Sequence, residues 1–289
     1  QPTANMKNYI YLDDQLPTSQ NSKLLALVGE NKNVLEVGCA MGFQTRAMHE
    51  LQKCQVTGIE IDAHAADFAR PYCNDLIIGD VETLDVRQLL NHRKFDVITF
   101  ADVLEHLKNP IAVLNKMKPL LNDGAYVLAS IPNIAHCSVI YDLARGQFEY
   151  RSVGLLDDTH IRFFTRQTIY DAFEKAGYMI VALDRIRMPA SKTEFKTCPE
   201  TVEDRQFLDY VKQRNPEAET YQFVVKAVPI DNIITLQSEI IMAQRQAELL
   251  GQNSKLNEKR INELESNLSW ITNQPIYKFF STLARMIKR

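Results

Sequence analysis

Short apolar segments rich in Val and Ile alternate with helical patterns along most of the chain, and this alternation restricts the fold more than any other feature. Seven strands are predicted, with helices between the first five of them. The predicted strands span 33–37, 55–60, 75–78, 95–100, 124–130, 178–187 and 221–228. Such alternation favours a mostly parallel sheet with helices on both faces, and the more polar pattern at 221–228 indicates an antiparallel strand. The predicted fold class is α/β, a Rossmann-like seven-stranded mixed sheet.

A tight glycine turn follows the first predicted strand. The segment reads Val34-Leu-Glu-Val-Gly-Cys-Ala-Met-Gly42. A dinucleotide-binding turn carries G-x-G-x-x-G, so that backbone amides at a helix start meet a pyrophosphate. Here Gly38 is followed by Ala40, Gly42 and Phe43, so the third glycine is missing. Glu36 would repel a pyrophosphate but would attract a sulfonium and an ammonium group. The turn therefore favours S-adenosylmethionine (SAM) over NAD.

Four successive predicted strands end in carboxylates, and ligands of doubly wound sheets lie across these strand ends. The acids are Glu36, Glu60, Asp80 and Asp102. Glu60 stands 24 residues after Glu36, about the offset of an acid that accepts hydrogen bonds from two ribose hydroxyls. We expect Asp80 to accept from the adenine amino group, with Ile61 and Val81 on either side of the ring. Taken singly, each acid has the alternative role of a helix N-cap or a solvated loop residue.

Five segments, taken in order, resemble class I SAM-dependent methyltransferases, and the resemblance covers residues 20 to about 228. The segments are 36–42, 58–62, 79–82, 95–107 and 120–133. Within that class, Val103-Leu-Glu-His-Leu107 is similar to the ubiquinone-type O-methyltransferase branch. The run 154–165, with 8–12, resembles methyltransferases associated with bacterial surface-polysaccharide and O-antigen synthesis. The predicted cofactor-binding residues are Glu36, Gly38, Cys39, Ala40, Gly42, Glu60, Ile61, Asp80, Val81, Ala101 and Asp102, with Cys39 a small filler beside the ligand and not a nucleophile.

The resemblance implies in-line attack of a nucleophile on the sulfonium methyl group, a reaction governed by positioning and electrostatics. A sugar hydroxyl is a poor nucleophile at neutral pH, so a nearby base would help. His160 is the leading candidate for this base. It lies in the long insertion 131–165, which is predicted to be a lid or substrate loop. It also stands close to Asp157 and Asp158 in the sequence. Either acid could orient its imidazole. The alternative is that residues 158–160 only cap and stabilise the loop, and that Arg162 pairs with an acid.

A second constellation consists of Asp102, Glu105 and His106. On a helix start these spacings place them on one face, which could hold a divalent ion, as the resemblance to the ubiquinone-type branch allows. Carboxylate-rich sites suit Mg²⁺ better than zinc, but the chemistry requires no metal and no metal ligand is assigned. The favoured alternative is a capping box with Asp102 at the N-cap and Glu105 at N3, and with His106 facing the acceptor.

The C-terminal part changes character at Ile233. Apolar residues follow in steps of three and four, with polar Ser254 and Asn257 at two positions that weaken the middle, which predicts a coiled-coil seam over 233–271 and a homo-oligomer. A single amphipathic helix folded back onto its own domain is the alternative. The segment 276–289 carries four positive charges and an apolar face, which suit an anionic membrane interface or a partner protein. The predicted domains are 1–229 (methyltransferase), 230–274 (coiled coil) and 275–289 (short basic helix).

The composition limits which partners, metal sites and cellular locations are expected for this chain. The formal net charge of −3 gives no support for a nucleic-acid partner. Five cysteines without C-x-x-C spacing argue against a disulfide framework and a zinc site. No apolar run approaches the ~18–20 residues of a membrane-spanning helix. These features predict a cytoplasmic protein, with a peripheral position at the inner membrane as an extension of that prediction.

Together these patterns predict a SAM-dependent O-methyltransferase that acts on a sugar hydroxyl of a bacterial surface polysaccharide or its precursor. Two alternatives remain. One is a small-molecule O-methyltransferase of the quinol or phenol type. The other is a non-catalytic scaffold whose methyltransferase domain is vestigial and whose tail recruits partners.

Overall fold

The computed structural model describes residues 20–231 and 262–269, and a single seven-stranded sheet organises the first of these ranges. The strands are β1 Asn33–Val37, β2 Gln55–Glu60, β3 Asp75–Ile78, β4 Phe95–Ala101, β5 Leu121–Pro132, β6 Tyr178–Arg187 and β7 Thr220–Pro229. Their order is β3-β2-β1-β4-β5-β7-β6, with β1 to β5 parallel and β7 antiparallel to both of its neighbours. The predicted mixed sheet and its antiparallel last strand are confirmed.

Helices cover both faces of the sheet. They are α1 Gln20–Val28, α2 Phe43–Glu50, α3 Ala63–Ala69, α4 Val86–Leu89, α5 Pro110–Met117, α6 Cys137–Ala144, α7 Arg166–Lys175 and α8 Val202–Arg214. On one face, α1 and α2 pack Leu24 and Met48 against the Val residues of the central strands. On the other face, α4, α5 and α7 pack against the large core that contains Phe95 and Phe173. The near-continuous Val and Ile runs of the central strands follow from this burial on two faces.

The strand order reverses between β1 and β4. Because β1 pairs with β2 on one side and with β4 on the other, the carboxyl ends of these strands meet at one edge. Ligands of doubly wound sheets bind at such a reversal. The turn Gly38 to Gly42 and the residues after β2, β3 and β4 therefore share one side of the molecule.

The predicted insertion 131–165 includes the end of β5, helix α6 and a long ordered loop. The loop returns to the sheet where Asn133 pairs with Phe164 in an isolated bridge. It then lies against the segment after β4, because the backbone N–H groups of Ile161 and Arg162 both donate to the carbonyl of Glu105, at 3.0 and 2.9 Å. This double contact fixes the loop over the edge where the ligand is expected.

Residues 262–269 form a helix that contacts the outer part of the sheet. Leu264 is 3% exposed and packs against Val181 of β6 and Val228 of β7, with Leu268 beside it. At these two seam positions the structure shows the folded-back alternative. The rest of the predicted coiled coil and the segment 276–289 lie outside the described residues, so the intermolecular coiled coil stays a prediction.

Among the helices of the described ranges, none combines the length and the apolar character that crossing a bilayer requires.

Candidate active site

The glycine turn between β1 and α2 has a backbone that few side chains tolerate. Gly38 and Gly42 have φ of 75° and 81°, and Ala40 between them has φ of 46°. A Cβ atom on Gly42 would lie 2.6 Å from the Ala69 Cα atom, so α3 leaves no room for a side chain there. An Ala in the left-handed region stores backbone strain, which is a feature of binding turns. The glycines therefore shape this turn for close approach of a ligand.

Glu60 joins the turn to the end of β2. It is 4% exposed, and its carboxylate accepts from the backbone N–H groups of Ala40 at 2.8 Å and Asp62 at 2.9 Å. An ionised carboxylate offers about four lone-pair sites, so two remain for ribose hydroxyls. The ribose role predicted from its offset to Glu36 stays a prediction.

Glu36 lies beneath the turn and is almost completely buried. It accepts a hydrogen bond of 2.6 Å from the hydroxyl of Thr45, at the start of α2. Burial raises the pKa of Glu36 to about 8, although the Thr45 hydrogen bond lowers it in part. A cationic ligand nearby would favour the ionised form. The buried acid is thus arranged to respond to a positive charge.

The predicted adenine residues lie after β2 and β3. Asp80 accepts from the backbone N–H of Glu82 at 2.8 Å through one carboxylate oxygen. Val81 is buried, whereas Ile61, directly after β2, is 66% exposed. An aromatic ligand ring would cover this side chain. The adenine placement remains a prediction.

Asp102 follows Ala101, the last residue of β4, and adopts φ of 54°. Its backbone N–H donates to the Ser130 hydroxyl at 3.1 Å, and its carboxylate accepts from the Gln222 amide of β7. Burial raises the pKa of Asp102 to about 7. These contacts hold the acid at the reversal point of the strand order.

The predicted capping box is wrong. The segment Leu104–His106 is a short 3-10 turn whose N-cap residue is Val103, with no side-chain cap. Asp102 pairs with Gln222 instead, because its positive φ turns it away from a helix start. Glu105 is 1% exposed, and neither of its carboxylate oxygens has a hydrogen-bond partner among the described residues. Burial and the neighbouring Asp102 raise the pKa of Glu105 well above its ordinary value.

Two histidines meet beside Glu105, one from the segment after β4 and one from the insertion. The rings of His106 and His160 are 4.8 Å apart between centroids and lie edge to face. His160 Nε2 is 4.0 Å from a Glu105 oxygen, too far for a hydrogen bond. Burial and the neighbouring His106 lower the pKa of His160 to about 4, and burial also lowers the pKa of His106. Both shifts favour the neutral imidazole over its cation.

The predicted partners of His160 are different in the structure. The Asp157 carboxylate accepts from the backbone N–H and the hydroxyl of Thr159, and Asp158 is exposed, so neither acid orients the imidazole by a hydrogen bond. His160 Nδ1 lies 3.4 Å from the Leu155 carbonyl. Arg162 donates to the Lys108 carbonyl at 3.1 Å and not to an acid. Asp157 thus shapes the loop: its carbonyl accepts from the backbone N–H of His160 at 3.0 Å, and its charge acts on the imidazole.

One ligand atom from each of Glu105, His106 and His160 lies within 4.8 Å of the other two. This set differs from the predicted one, since Asp102 is engaged by Gln222 and His160 takes its place. A carboxylate with two imidazoles suits Zn²⁺, Fe²⁺ or Mn²⁺ better than Mg²⁺, which prefers oxygen ligands. The residues fit a divalent ion, while methyl transfer itself needs none.

Three residues of the site were not found from the sequence. Gln222 and Thr45 hold Asp102 and Glu36, and Thr159 holds His106, whose Nδ1 atom lies 3.2 Å from the Thr159 carbonyl. Gln222 is 120 residues from Asp102, so no local pattern reveals the pair. A polar residue directly before the apolar run Phe223-Val-Val225 of β7 is the local signal that marks it.

Comparisons with known proteins agree with this geometry. Residues 14–183 match the family described as "Methyltransferase domain". A ubiquinone biosynthesis O-methyltransferase of Haemophilus ducreyi is 35% identical over 108 residues, which are 35% of this chain and 45% of that protein. An (S)-coclaurine N-methyltransferase of Papaver somniferum is 24% identical over 150 residues, which are 48% of this chain and 42% of that protein. The chain spans about half the length of the curated relatives it matches.

The fold has a similar solved structure, the magnesium protoporphyrin IX methyltransferase of Synechocystis PCC 6803 with bound SAH. The TM-score is 0.52 at 13% identity, and the match covers 78% of this chain and 94% of that one. The family match extends over more than half of the chain and contains the glycine turn and all four strand-end acids. The chain therefore belongs to the methyltransferase-domain family, among the class I SAM-dependent methyltransferases that its motifs resemble.

Proposed function

We propose that this protein is an O-methyltransferase that transfers the methyl group of SAM to a hydroxyl of a sugar in a bacterial surface polysaccharide or its precursor. The observation that carries the proposal is the meeting of His106 and His160 after the end of β4, at the edge of the sheet where SAM is expected. SAM, the methyl donor of this family, agrees with the choice made from Glu36 and the incomplete glycine pattern.

The proposed placement of SAM follows the acids along the strand ends. Glu60 takes the ribose hydroxyls, and Asp80 takes the adenine amino group. Glu36 and the turn lie on the side of the methionine part, whose ammonium and sulfonium charges favour ionised Glu36. This order brings the sulfonium toward Asp102 and the two histidines.

In the proposed reaction the acceptor oxygen attacks the methyl carbon in line with the carbon–sulfur bond. The carbon–oxygen bond forms as the carbon–sulfur bond breaks, which leaves S-adenosylhomocysteine as a neutral thioether. The hydroxyl proton passes to a histidine. His106 is exposed whereas His160 is 9% exposed, so His106 is the nearer base for an entering acceptor. The Thr159 carbonyl engages His106 Nδ1, which leaves Nε2 as the other ring nitrogen for the proton.

The insertion offers a surface for a sugar. Phe148, Tyr150 and Phe163 are 44%, 58% and 37% exposed, and their rings contact one another at centroid distances of 5.4 and 6.5 Å. Phe163 follows His160 by three residues, so this aromatic group lies on the same loop as the proposed site. Flat ring faces pack against the C–H face of a sugar while its hydroxyls keep their water contacts. We assign acceptor recognition to this loop.

A second candidate is methylation of a quinol or phenol. It is favoured by the identity to a ubiquinone biosynthesis O-methyltransferase and by the same exposed aromatic residues. A phenolic hydroxyl is more acidic than a sugar hydroxyl and depends less on a base. The two candidates therefore differ in their expected response to loss of the histidine.

The test is methyl transfer from radiolabelled SAM to two acceptor panels, one of nucleotide sugars and lipid-linked glycans and one of catechols and quinols. We expect label in an O-methyl sugar, and Phe163→Ala should raise the KM for that sugar. The Glu60→Ala variant should lose SAM binding in calorimetry, whereas Glu30→Ala, an exposed acid away from the site, should not. Turnover only on quinols would contradict the sugar assignment, and absence of SAM binding would favour the scaffold alternative.

We also propose that residues 233–271 assemble the protein into a homo-oligomer and that 276–289 docks at an anionic membrane surface or a partner protein. Seam periodicity and the four positive charges support these assignments.

A further inference from the structure

Two cysteine side chains meet beneath the glycine turn. Cys39 belongs to the turn after β1, and Cys73 follows the 3-10 turn Arg70–Tyr72. Their sulfurs both lie beside Gly58 in β2. A Cβ atom on Gly58 would lie 2.9 Å from Cys39 Sγ and 3.2 Å from Cys73 Sγ. The missing side chain of Gly58 is what gives both sulfurs their space.

The two sulfurs are neighbours, since both lie beside the Cβ position that Gly58 lacks, and their environments differ. Interaction with the neighbouring thiol, together with burial, raises the pKa of Cys39, whereas the same interaction lowers the pKa of Cys73, with support from the Gly58 backbone. Cys39 is 3% exposed, and Cys73 is half-buried. A reachable thiol with a stabilised thiolate beside a second cysteine is the arrangement of redox-sensitive pairs.

We propose that Cys39 and Cys73 form a reversible disulfide that weakens SAM binding. A peroxide is the oxidant. The Cys73 thiolate attacks one peroxide oxygen and becomes a sulfenic acid, and the other oxygen leaves as water after taking a proton. The Cys39 sulfur then attacks the sulfenic sulfur, which releases a second water. Two thiols and one hydrogen peroxide thus give one disulfide and two waters.

The backbone of Cys39 connects this bond to the turn. A disulfide requires a sulfur–sulfur distance of about 2.05 Å, shorter than any hydrogen bond between thiols, so one side chain must move. The Cys39 carbonyl accepts from the Gly42 N–H at 2.8 Å, and the next residue, Ala40, donates to Glu60. A shift of Cys39 therefore disturbs both the turn and the acid assigned to the ribose. This consequence rests on the proposed placement of SAM at the turn, while disulfide formation itself does not.

Because SAM binding and disulfide formation are thermodynamically linked, each must oppose the other. If the disulfide weakens SAM binding by a given factor, SAM must oppose disulfide formation by the same factor. A bound SAM molecule also covers the turn and slows access to Cys73. Bound methyl donor should thus protect the pair from oxidation.

The experiment treats the full chain with hydrogen peroxide and then compares peptide maps with and without reductant. We expect a linked peptide containing Cys39 and Cys73, less of it when SAM is present, and a loss of SAM affinity of about tenfold or more that dithiothreitol reverses. Cys73→Ser should keep its affinity after peroxide. Cys198→Ser, which removes an exposed cysteine, should respond like the parent protein.

Each outcome bears on the proposal. Absence of the linked peptide would overturn it, and a linked peptide with unchanged SAM affinity would overturn the regulatory part. If the reduced protein binds no SAM at all, the placement of SAM fails, and the peptide map still decides whether the cysteines pair. Loss of affinity in peroxide-treated Cys73→Ser would show that another site is responsible.

Discussion

At the scale of single residues, the site is built from acids whose burial opposes their charge. Glu36, Asp102 and Glu105 lie under the turn or beside the histidines, and burial raises the pKa of each. Burying three amides or apolar side chains at these positions would cost the ligand-free fold less free energy than burying three carboxylates. Their presence indicates that the ligand-free site is arranged for a charge that the bound ligand brings.

Glu36 gives a prediction with a defined sign. Its pKa rises from 4.5 to about 8, so the folded protein binds an extra proton between these values. Stability is then greatest below the lower value and falls as pH rises through the window. Glu36→Gln should remove this dependence and stabilise the ligand-free protein at the alkaline end by a few kcal/mol, about 2–4. Thermal melts across the window measure it.

The same substitution should weaken SAM binding, because the neutral amide loses the attraction to the ammonium and sulfonium groups. Glu30→Gln is the matched control, since Glu30 is exposed before β1. A Glu36→Gln protein that melts with the same pH dependence as its parent would show that Glu36 ionises freely in the fold.

The two histidines give a second prediction. His106→Asn should lower kcat on a sugar acceptor by about 10² to 10⁴ and leave SAM affinity unchanged, since a base acts in the methyl-transfer step. His160→Asn should lower kcat less, because His160 is buried behind the ring of His106. Single-turnover rates measure both, with His49→Asn on the exposed end of α2 as control. A larger loss for His160 than for His106 would restore His160 as the base.

At the scale of elements, the sequence predicts the strands well because apolar residues mark each of them, and almost all of those in the central strands β1 and β4 are buried. β1, β2, β3 and β6 have the predicted bounds, and Val, Leu or Ile residues mark all four. The turn after β1 is equally local, since Gly38 and Gly42 are only four positions apart. Fold and cofactor acids therefore follow from short-range patterns.

The part of the site that faces the acceptor is shaped by contacts between residues far apart in the sequence. The local prediction for this part, a capping box at Asp102, is wrong. The capping box at Asp102 is the favoured local reading, but a side chain from β7 and a loop 53 residues away decide the geometry instead. The loop brings His160 to Glu105 only because Ile161 and Arg162 donate to the Glu105 carbonyl. Neither contact has a sequence period that could reveal it.

The helix at 262–269 allows a prediction at this scale. Leu264→Ala should destabilise the protein by about 2–3 kcal/mol, because its side chain fills the space against Val181 and Val228. Ser266→Ala on the exposed side of the same helix is the control. Chemical denaturation measures both. Equal stability of the two variants would indicate that this helix does not rest on its own sheet in solution.

At the scale of the whole molecule, the catalytic domain and the tail have separate proposed roles, ligand binding and assembly. Every residue assigned to SAM lies between Glu36 and Asp102, and the acceptor loop ends by Thr165. The tail reaches the domain through the outer strands β6 and β7, at the opposite end of the sheet from β2 and β3. Binding of SAM should therefore be independent of the tail, whereas assembly should depend on it.

Truncation after Pro229 tests this separation. The shortened protein should bind SAM with unchanged affinity but have a lower molar mass in light scattering, because the proposed seam 233–271 is removed. Its stability should also fall, since Val181 and Val228 lose the cover of Leu264. The Leu264→Ala protein separates the two effects: it loses the contact with the sheet while it keeps the remaining seam positions. If full-length and truncated proteins have the same number of subunits, the tail is a helix that serves its own domain and the homo-oligomer is contradicted.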